Sequence, residues 1–258
     1  FEMKCMLILA LCMSVCIDLY AGISINGIKP AYDSVWHTYL YAIPSQCFEG
    51  GECQLTIKFD GVQENTACLI NADTVKNGSY ALKLNPVKVK YGCYIQIISP
   101  DTLIADKLVF TCLPIVQLEG DFGREYLHGR FQLTEPDSRE ERWLYANIKW
   151  RGGTTNLGDK HKRNYHVKFL TNTLDEEKMV SFFGLRSSDS WILDAAQVDL
   201  SRVRNRTSTD LWNDFARRPY YSDKEPEARN GARGRFVELF LNNRYMGIYS
   251  LSEPIDRK

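Results

Sequence analysis

Arginine is missing from the first 121 residues of this 258-residue chain, and cysteine is missing from everything after Cys112. An excess of either charge is missing as well. The 32 basic side chains balance 32 acidic ones, which argues against the basic surface that nucleic acid requires. No Cys-x-x-Cys occurs and none of the four histidines stands beside a cysteine pair, so the spacing of a zinc site is absent. Long apolar runs are scarce. The longest, Cys5 to Ile17, has 13 residues, too few to span a bilayer comfortably.

What is present falls into two unlike parts. Residues 1–121 carry 8 lysines against 12 acids, whereas 122–258 carry 7 lysines and 17 arginines against 20 acids. Lys4, the apolar run, and the small residues Ala21 and Gly22 have the shape of a secretory signal over residues 1–22. A buried N-terminal helix or strand is the plain alternative, and a lipid-modified Cys12 or Cys16 is a variant of the first reading. The protein is thus expected to be exported to the cell envelope, periplasm or cell surface, with membrane contact only through such an anchor. An exported chain can oxidise its cysteines, and Cys47 and Cys53, across CFEGGEC, are the closest pair. Five cysteines follow the signal-like segment, so at least one thiol stays free or pairs elsewhere.

Residues 23–112 read as short alternating runs between turn formers: CQLTIKF before Asp60-Gly61, YALKLNPVKV after Asn77-Gly78, and CYIQIIS before Pro100-Asp101. That pattern predicts a small antiparallel β-sandwich of the immunoglobulin-like kind, acting as a scaffold. Residues 113–258 mix periods, which gives an α+β class overall. YANIKW, NYHVKFL, FVELFLNN and RYMGIYSLSE alternate as strands, the last two joined by an Asn242-Asn243 turn. In DLSRVRNRTSTDLWNDFAR, Leu200, Val203, Thr207, Leu211 and Phe215 recur at helical spacing behind a cap at Asp199 or Ser201. The expected arrangement is a twisted antiparallel sheet with this helix packed on it by that face.

The stretch from Gly153 to Lys160 is glycine-containing but is not a P-loop, because Asp159 intrudes before the lysine and a strand follows. It can be a plain hairpin loop or one that folds over phosphates. Period-2 alternation sends Lys162 and Arg163 to opposite faces, Arg163 in phase with Tyr165, Val167 and Phe169. Arg163 then needs an anionic partner or a ligand, and Glu238, in phase with Phe236 and Phe240, poses the complementary problem. Of the three arginines in RVRNR, helical spacing directs Arg204 towards the sheet and leaves Arg202 and Arg206 in solvent. No catalytic triad, HExxH or paired inward carboxylates emerge from spacing.

Four segments in order, IKWRGGTTN, KHKRNYHVKFL, WILDAAQVDLSRVRNRTSTDL and GRFVELFLNNRYMGIYSLSEPID, resemble the spore-coat protein H (CotH) kinase family of secreted, atypical protein-kinase-like proteins. The resemblance covers about residues 113–258 and implies a partial kinase-like lobe, ATP and Mg as cofactors, and phosphoryl transfer to protein hydroxyls. It assigns Arg151 and Gly152 to a phosphate-covering loop, and Lys162 and Arg163 to the basic pair that meets nucleotide phosphates. Asp199, Arg204 and Asn205 match the helix start, and Glu238, Gly247, Tyr249 and Glu253 match the strand pair that leads to the interlobe hinge. Arg163 replaces a frequent lysine, keeping the charge while offering a two-pronged donor.

The family's metal-holding motifs, an Asn-x-Asp-rich segment and a Trp-Asp-x-Asp segment, are expected beyond Lys258, and Trp212-Asn213-Asp214 is no substitute. On this reading the residues from 113 form the first lobe, no catalytic residue is assigned, and transfer by this polypeptide alone is not expected. The competing reading is a non-catalytic envelope or surface module that binds a protein partner or glycan.

Overall fold

The computed structural model describes residues 22–62, 64–153, 162–224, 226 and 229–254. The signal-like segment before Gly22 and the loop residues Gly158, Asp159 and Lys160 lie outside them. In chain order the first half holds β1 (Gly22–Ile25), β2 (Ala31–Asp33), β3 (Thr38–Ala42), β4 (Gln54–Asp60), β5 (Ala67–Ile70), β6 (Asp73–Thr74), β7 (Ser79–Lys83), a short helix α1 (Pro86–Tyr91), β8 (Cys93–Ile98) and β9 (Leu103–Thr111). They form a three-stranded sheet, β1-β4-β7, and a six-stranded sheet, β2-β3-β9-β8-β5-β6.

Strict alternation makes β4 a half-buried strand: Leu55, Ile57 and Phe59 point inward while Gln54, Thr56, Lys58 and Asp60 face solvent. Its apolar row joins Ile25 and Leu82 of the small sheet and Ile70, Ile95 and Leu108 of the large one in a single core cluster. The two sheets therefore share one hydrophobic interior. An all-antiparallel arrangement was expected, and one ladder departs from it, because β3 and β9 run parallel. The long excursion between them allows the parallel pairing.

The strand expected across YALKLNPVKV is also cut short. β7 ends at Lys83, and the Asn85 side chain accepts the Lys88 N–H at 2.8 Å to cap α1, with Pro86 in its first turn. The helix stops at Gly92, whose φ of +79° and approach to the Leu108 carbonyl, 2.3 Å from where a Cβ would sit, admit glycine alone. Cys47 and Cys53 form the expected disulfide, with Cα atoms 5.7 Å apart.

The second half holds β10 (Ile115–Glu119), β11 (Leu127–Thr134), β12 (Trp143–Arg151), β13 (Asn164–Phe169), β14 (Ser190–Asp194), the helix α2 (Arg204–Phe215), β15 (Gly234–Leu241) and β16 (Arg244–Ser252). These strands do not form an open antiparallel sheet. They close into a seven-stranded barrel, β10-β11-β12-β13-β14-β16-β15, sealed by a parallel ladder from Ile115 opposite Glu238 to Leu118 opposite Leu241. Closure removes both sheet edges. Val116, Phe131, Val167, Trp191, Val237 and Leu251 are among the side chains that fill the interior, with Phe131 and Phe169 meeting edge to face at 5.0 Å. The β15–β16 turn is the expected one, Asn242 and Asn243 both at positive φ.

Helix α2 reverses its expected orientation. Leu211 and Phe215 are exposed, as are Leu200 and Val203 ahead of it, and the buried residue of the helix is Arg206. Its guanidinium donates to both oxygens of Asp210 (2.9 and 2.5 Å), to the Ala232 carbonyl (2.7 Å) and to Ser252 Oγ (3.4 Å). Asn213 and Gly231 exchange two further hydrogen bonds of 3.0 and 2.8 Å. Periodicity located the helix but could not see that four polar acceptors await an arginine on its inner side.

The halves meet through Ala31 and Ala42 packed against Ile115 and Phe240. Asp33 adds a polar tie: one carboxylate oxygen accepts the N–H groups of Val35 and Trp36, and the other accepts that of Tyr245 at 3.1 Å. Cys68 and Cys93 are buried free thiols whose pKa burial pushes up, whereas Cys112 is exposed. Because the thiolate is the nucleophile, brief alkylation of the native protein should modify Cys112 and spare Cys68 and Cys93, which mass spectrometry of the labelled peptides will read.

Candidate functional site

Strand β13 begins one residue after Arg163, so the basic pair sits at one mouth of the barrel. Lys162 folds across β16: its ammonium donates to the Ile248 carbonyl at 2.8 Å and lies 4.4 Å from the centre of the Tyr249 ring. Gly247 makes this approach possible, since it holds φ at +85° and a Cβ there would stand 3.3 Å from the Lys162 nitrogen. Half-buried in this way, Lys162 has its pKa brought down to about 8, first by desolvation and then by the Arg202 charge, with Glu238 opposing.

Arg163 resolves its apolar phase by laying its guanidinium 4.6 Å from the Trp150 ring centre. Beneath it, Tyr165 and Tyr249 stack at 6.3 Å inside the barrel. Burial raises the pKa of both phenols, Tyr165 to about 12, while Arg163 pulls against it at Tyr165 and Arg202 does so at Tyr249. Lys162, Arg163 and Arg202 are thereby gathered over the same tyrosine pair. Arg202, expected in solvent, is turned inward by a left-handed backbone (φ +63°) and donates to the Ala196 carbonyl at 2.7 Å.

The other residues assigned by resemblance are distributed around this mouth or away from it. Arg151 ends β12 and its charge helps burial to depress His166, whose Nδ1 lies 2.9 Å from the Tyr126 hydroxyl. Gly152 follows with φ +104°, and residues 154–161 of the covering loop fall outside those described. Asp199 accepts the Arg204 N–H at 2.9 Å and the Ser201 N–H and hydroxyl at 3.1 and 2.8 Å, which hold its carboxyl below the usual range. Arg204 is exposed and reaches back to Asp199 at 3.3 Å, so it does not face the sheet. Asn205 donates to Asp194 at 3.4 Å, joining the helix start to β14.

Glu253 is buried and already engaged, receiving the Arg233 guanidinium at 2.9 Å, the Arg233 N–H at 2.9 Å and the Arg186 N–H at 3.3 Å. Glu238 points from the outer face of β15 towards the first half of the chain, where it accepts the Thr111 and Tyr245 hydroxyls at 3.0 and 2.5 Å. The structure therefore unites Lys162 and Arg163 with Gly247 and Tyr249, and holds the two glutamates elsewhere. Trp150 and Arg202 were missed in the sequence. The place of Trp150 at the end of IKW, opposite Tyr165 in the strand that follows Arg163, was the available signal; for Arg202 there was none, because its inward turn depends on a single positive φ.

A cationic barrel mouth of this kind suits a ligand bearing phosphates. Residues 148–258, which include Lys162, Arg163, Arg202, Gly247 and Tyr249, match the family model described as CotH kinase protein. Over that stretch the chain is similar to the CotH kinase family, as the four ordered segments indicated, and a kinase-like function is what that family suggests. No curated protein matches the chain. Gly247→Ala should cost about 1–2 kcal/mol from the left-handed backbone alone and displace Lys162. Urea denaturation will report the first effect, and reductive methylation followed by NMR titration the second, the Lys162 resonance losing its midpoint near pH 8.

Proposed function

We propose that this protein is an exported, ATP-dependent protein kinase of the CotH type, in which the barrel is the first lobe of a kinase-like fold and the two-sheet unit is an immunoglobulin-like scaffold. The observation that carries the reading is the convergence of Lys162, Arg163 and Arg202 at one barrel mouth within the stretch that matches the family. Phosphoryl transfer spreads negative charge over the phosphate oxygens, and fixed cations in a partly desolvated site stabilise it. Lys162 supplies a point charge to the phosphate chain, Arg163 a planar two-pronged donor, and Arg202 the surrounding field.

Arg151 and Gly152 begin the loop that would cover the phosphates, and the hydrogen bonds of Asp199 and Asn205 keep the Arg204 end of α2 in place. Glu238 and Glu253 take no part in holding the nucleotide on this reading, since Glu238 faces the junction with the first half of the chain and Glu253 is engaged by Arg233 and Arg186. Magnesium, which the family resemblance implies, would supply positive charge against the charge that develops on the phosphate. The described residues contain no cluster of three or more His, Cys, Asp or Glu suited to a metal ion, so they do not fit that role. The acceptor is the hydroxyl of a protein substrate in the envelope or at the surface.

Calorimetric titration of the full-length product with Mg-ATP should show saturable binding, weakened about tenfold or more by Lys162→Ala and by Arg163→Ala, each removing a charged hydrogen-bond donor. Lys162 attracts phosphate only when protonated. Affinity should therefore hold below about pH 8 and fall as the pH rises through it. Equal affinity in wild type and both variants, or no ATP binding at all, would overturn the reading. Binding without transfer of labelled phosphate to any protein would leave a ligand-binding module instead of a kinase.

A further inference from the structure

Where the two halves of the chain meet, a cavity of about 340 Å³ opens between the β2–β3 hairpin, β9 and the β15–β16 hairpin. Its volume is at the lower end of small-ligand sites, about 300–1,000 Å³. Trp36, Phe110, Phe240 and Tyr245 give it aromatic walls, and Asp33 and Glu238 give it two carboxylates; among the described residues no lysine, arginine or histidine lines it.

Glu238 is only 8% exposed. Its two oxygens accept from neutral hydroxyls, those of Thr111 at 3.0 Å and Tyr245 at 2.5 Å, and among the described residues no cation lies within ion-pair distance of it. Lys162 feels the Glu238 charge, but its ammonium donates to the Ile248 carbonyl and lies against the Tyr249 ring. A buried carboxylate without a counter-charge is expensive. Burial together with the Glu238 charge raises the pKa of Tyr245, so the phenol stays a donor to it. Trp36 is the second unusual feature: its side chain is 77% exposed at the cavity wall, although its backbone is fixed by the Asp33 carboxylate. An indole held in solvent beside an uncompensated carboxylate is what a cation would bring together, through its charge and through the ring faces.

We infer that this junction cavity binds an organic ammonium group, with Glu238 as its counter-ion and Trp36, Phe240 and Tyr245 as its aromatic enclosure. A bare metal ion is the poorer fit, because hard cations require several oxygen ligands and both Asp33 oxygens are already committed to backbone N–H groups. The site lies on the outer face of β15 and does not depend on the nucleotide reading of the barrel mouth. Binding there would bridge the first half of the chain to the barrel, since Trp36 and Asp33 belong to one and Glu238 and Tyr245 to the other.

Calorimetric titration of the full-length protein, without nucleotide, tests this with choline, n-butylammonium and the uncharged isostere of choline in which carbon replaces nitrogen. Saturable binding of either ammonium, and about tenfold or weaker binding of the isostere, is expected; choline over butylammonium identifies a methylated head, the reverse a primary amine. Glu238→Gln keeps the shape and should lose about tenfold or more. Trp36→Ala removes an exposed side chain, so it should weaken binding while leaving the melting temperature unchanged, and it decides the matter if the Glu238 variant fails to fold. Isostere binding equal to choline, no saturation by either ammonium, or full affinity in Trp36→Ala would overturn the inference.

Discussion

The parallel ladder between β10 and β15 is the constraint on which the rest of the molecule hangs. Without it the second half would be an open sheet with two exposed edges and a core accessible to water. With it, every residue of β15 acquires a fixed side: Val237 and Leu239 go to the barrel interior, while Glu238 and Phe240 go to the junction with the first half. The same closure fixes β16 beside β14, which sets Gly247, Ile248 and Tyr249 where Lys162 can lie across them. Both sites thus inherit their geometry from a pairing between strands more than a hundred residues apart.

Polar contacts do the work of attachment in several places where apolar packing would have been the ordinary choice. Arg206 binds α2 to the loop before β15 and to β16, Asn205 binds its start to β14, and Asp33 ties one hairpin to another. Directional bonds of this type fix orientation more narrowly than a greasy face does, because each acceptor must be met at its own distance and angle. A phosphate-handling mouth needs such fixed placement, since cations that wander give up much of their electrostatic advantage.

Local pattern made much of this legible. Alternation located β4, β8, β12, β13, β15 and β16, the Asn-Asn pair marked its turn, and the two cysteines of CFEGGEC formed their bridge. Long-range partnership was not legible. Nothing in IVQLE shows that it has β11 on one side and β15 on the other, and a closed barrel and an open sheet have the same strand periodicity. Asn85-Pro86 and Gly92 did carry a start and a stop for α1, but VKV between them alternates like a strand and masked the signal. For α2 the apolar period and the polar acceptors competed, and the burial of a fully satisfied guanidinium prevailed over exposed leucines and phenylalanine. Of the site, Lys162 and Arg163 could be read from order and phase, whereas Arg202 depended on one backbone angle.

The polar seating of α2 has a thermal consequence. Lifting the helix from the barrel would uncover a guanidinium, the one loop that Asn213 holds through two amide hydrogen bonds, and little apolar area, because Leu211, Trp212 and Phe215 are exposed already. Heat-capacity changes track apolar exposure, so this local opening carries only a small one. Its free energy should vary almost linearly with temperature, while the barrel core beneath follows the curved profile of hydrophobic burial. The helix and the barrel are joined in space but answer to temperature by different laws.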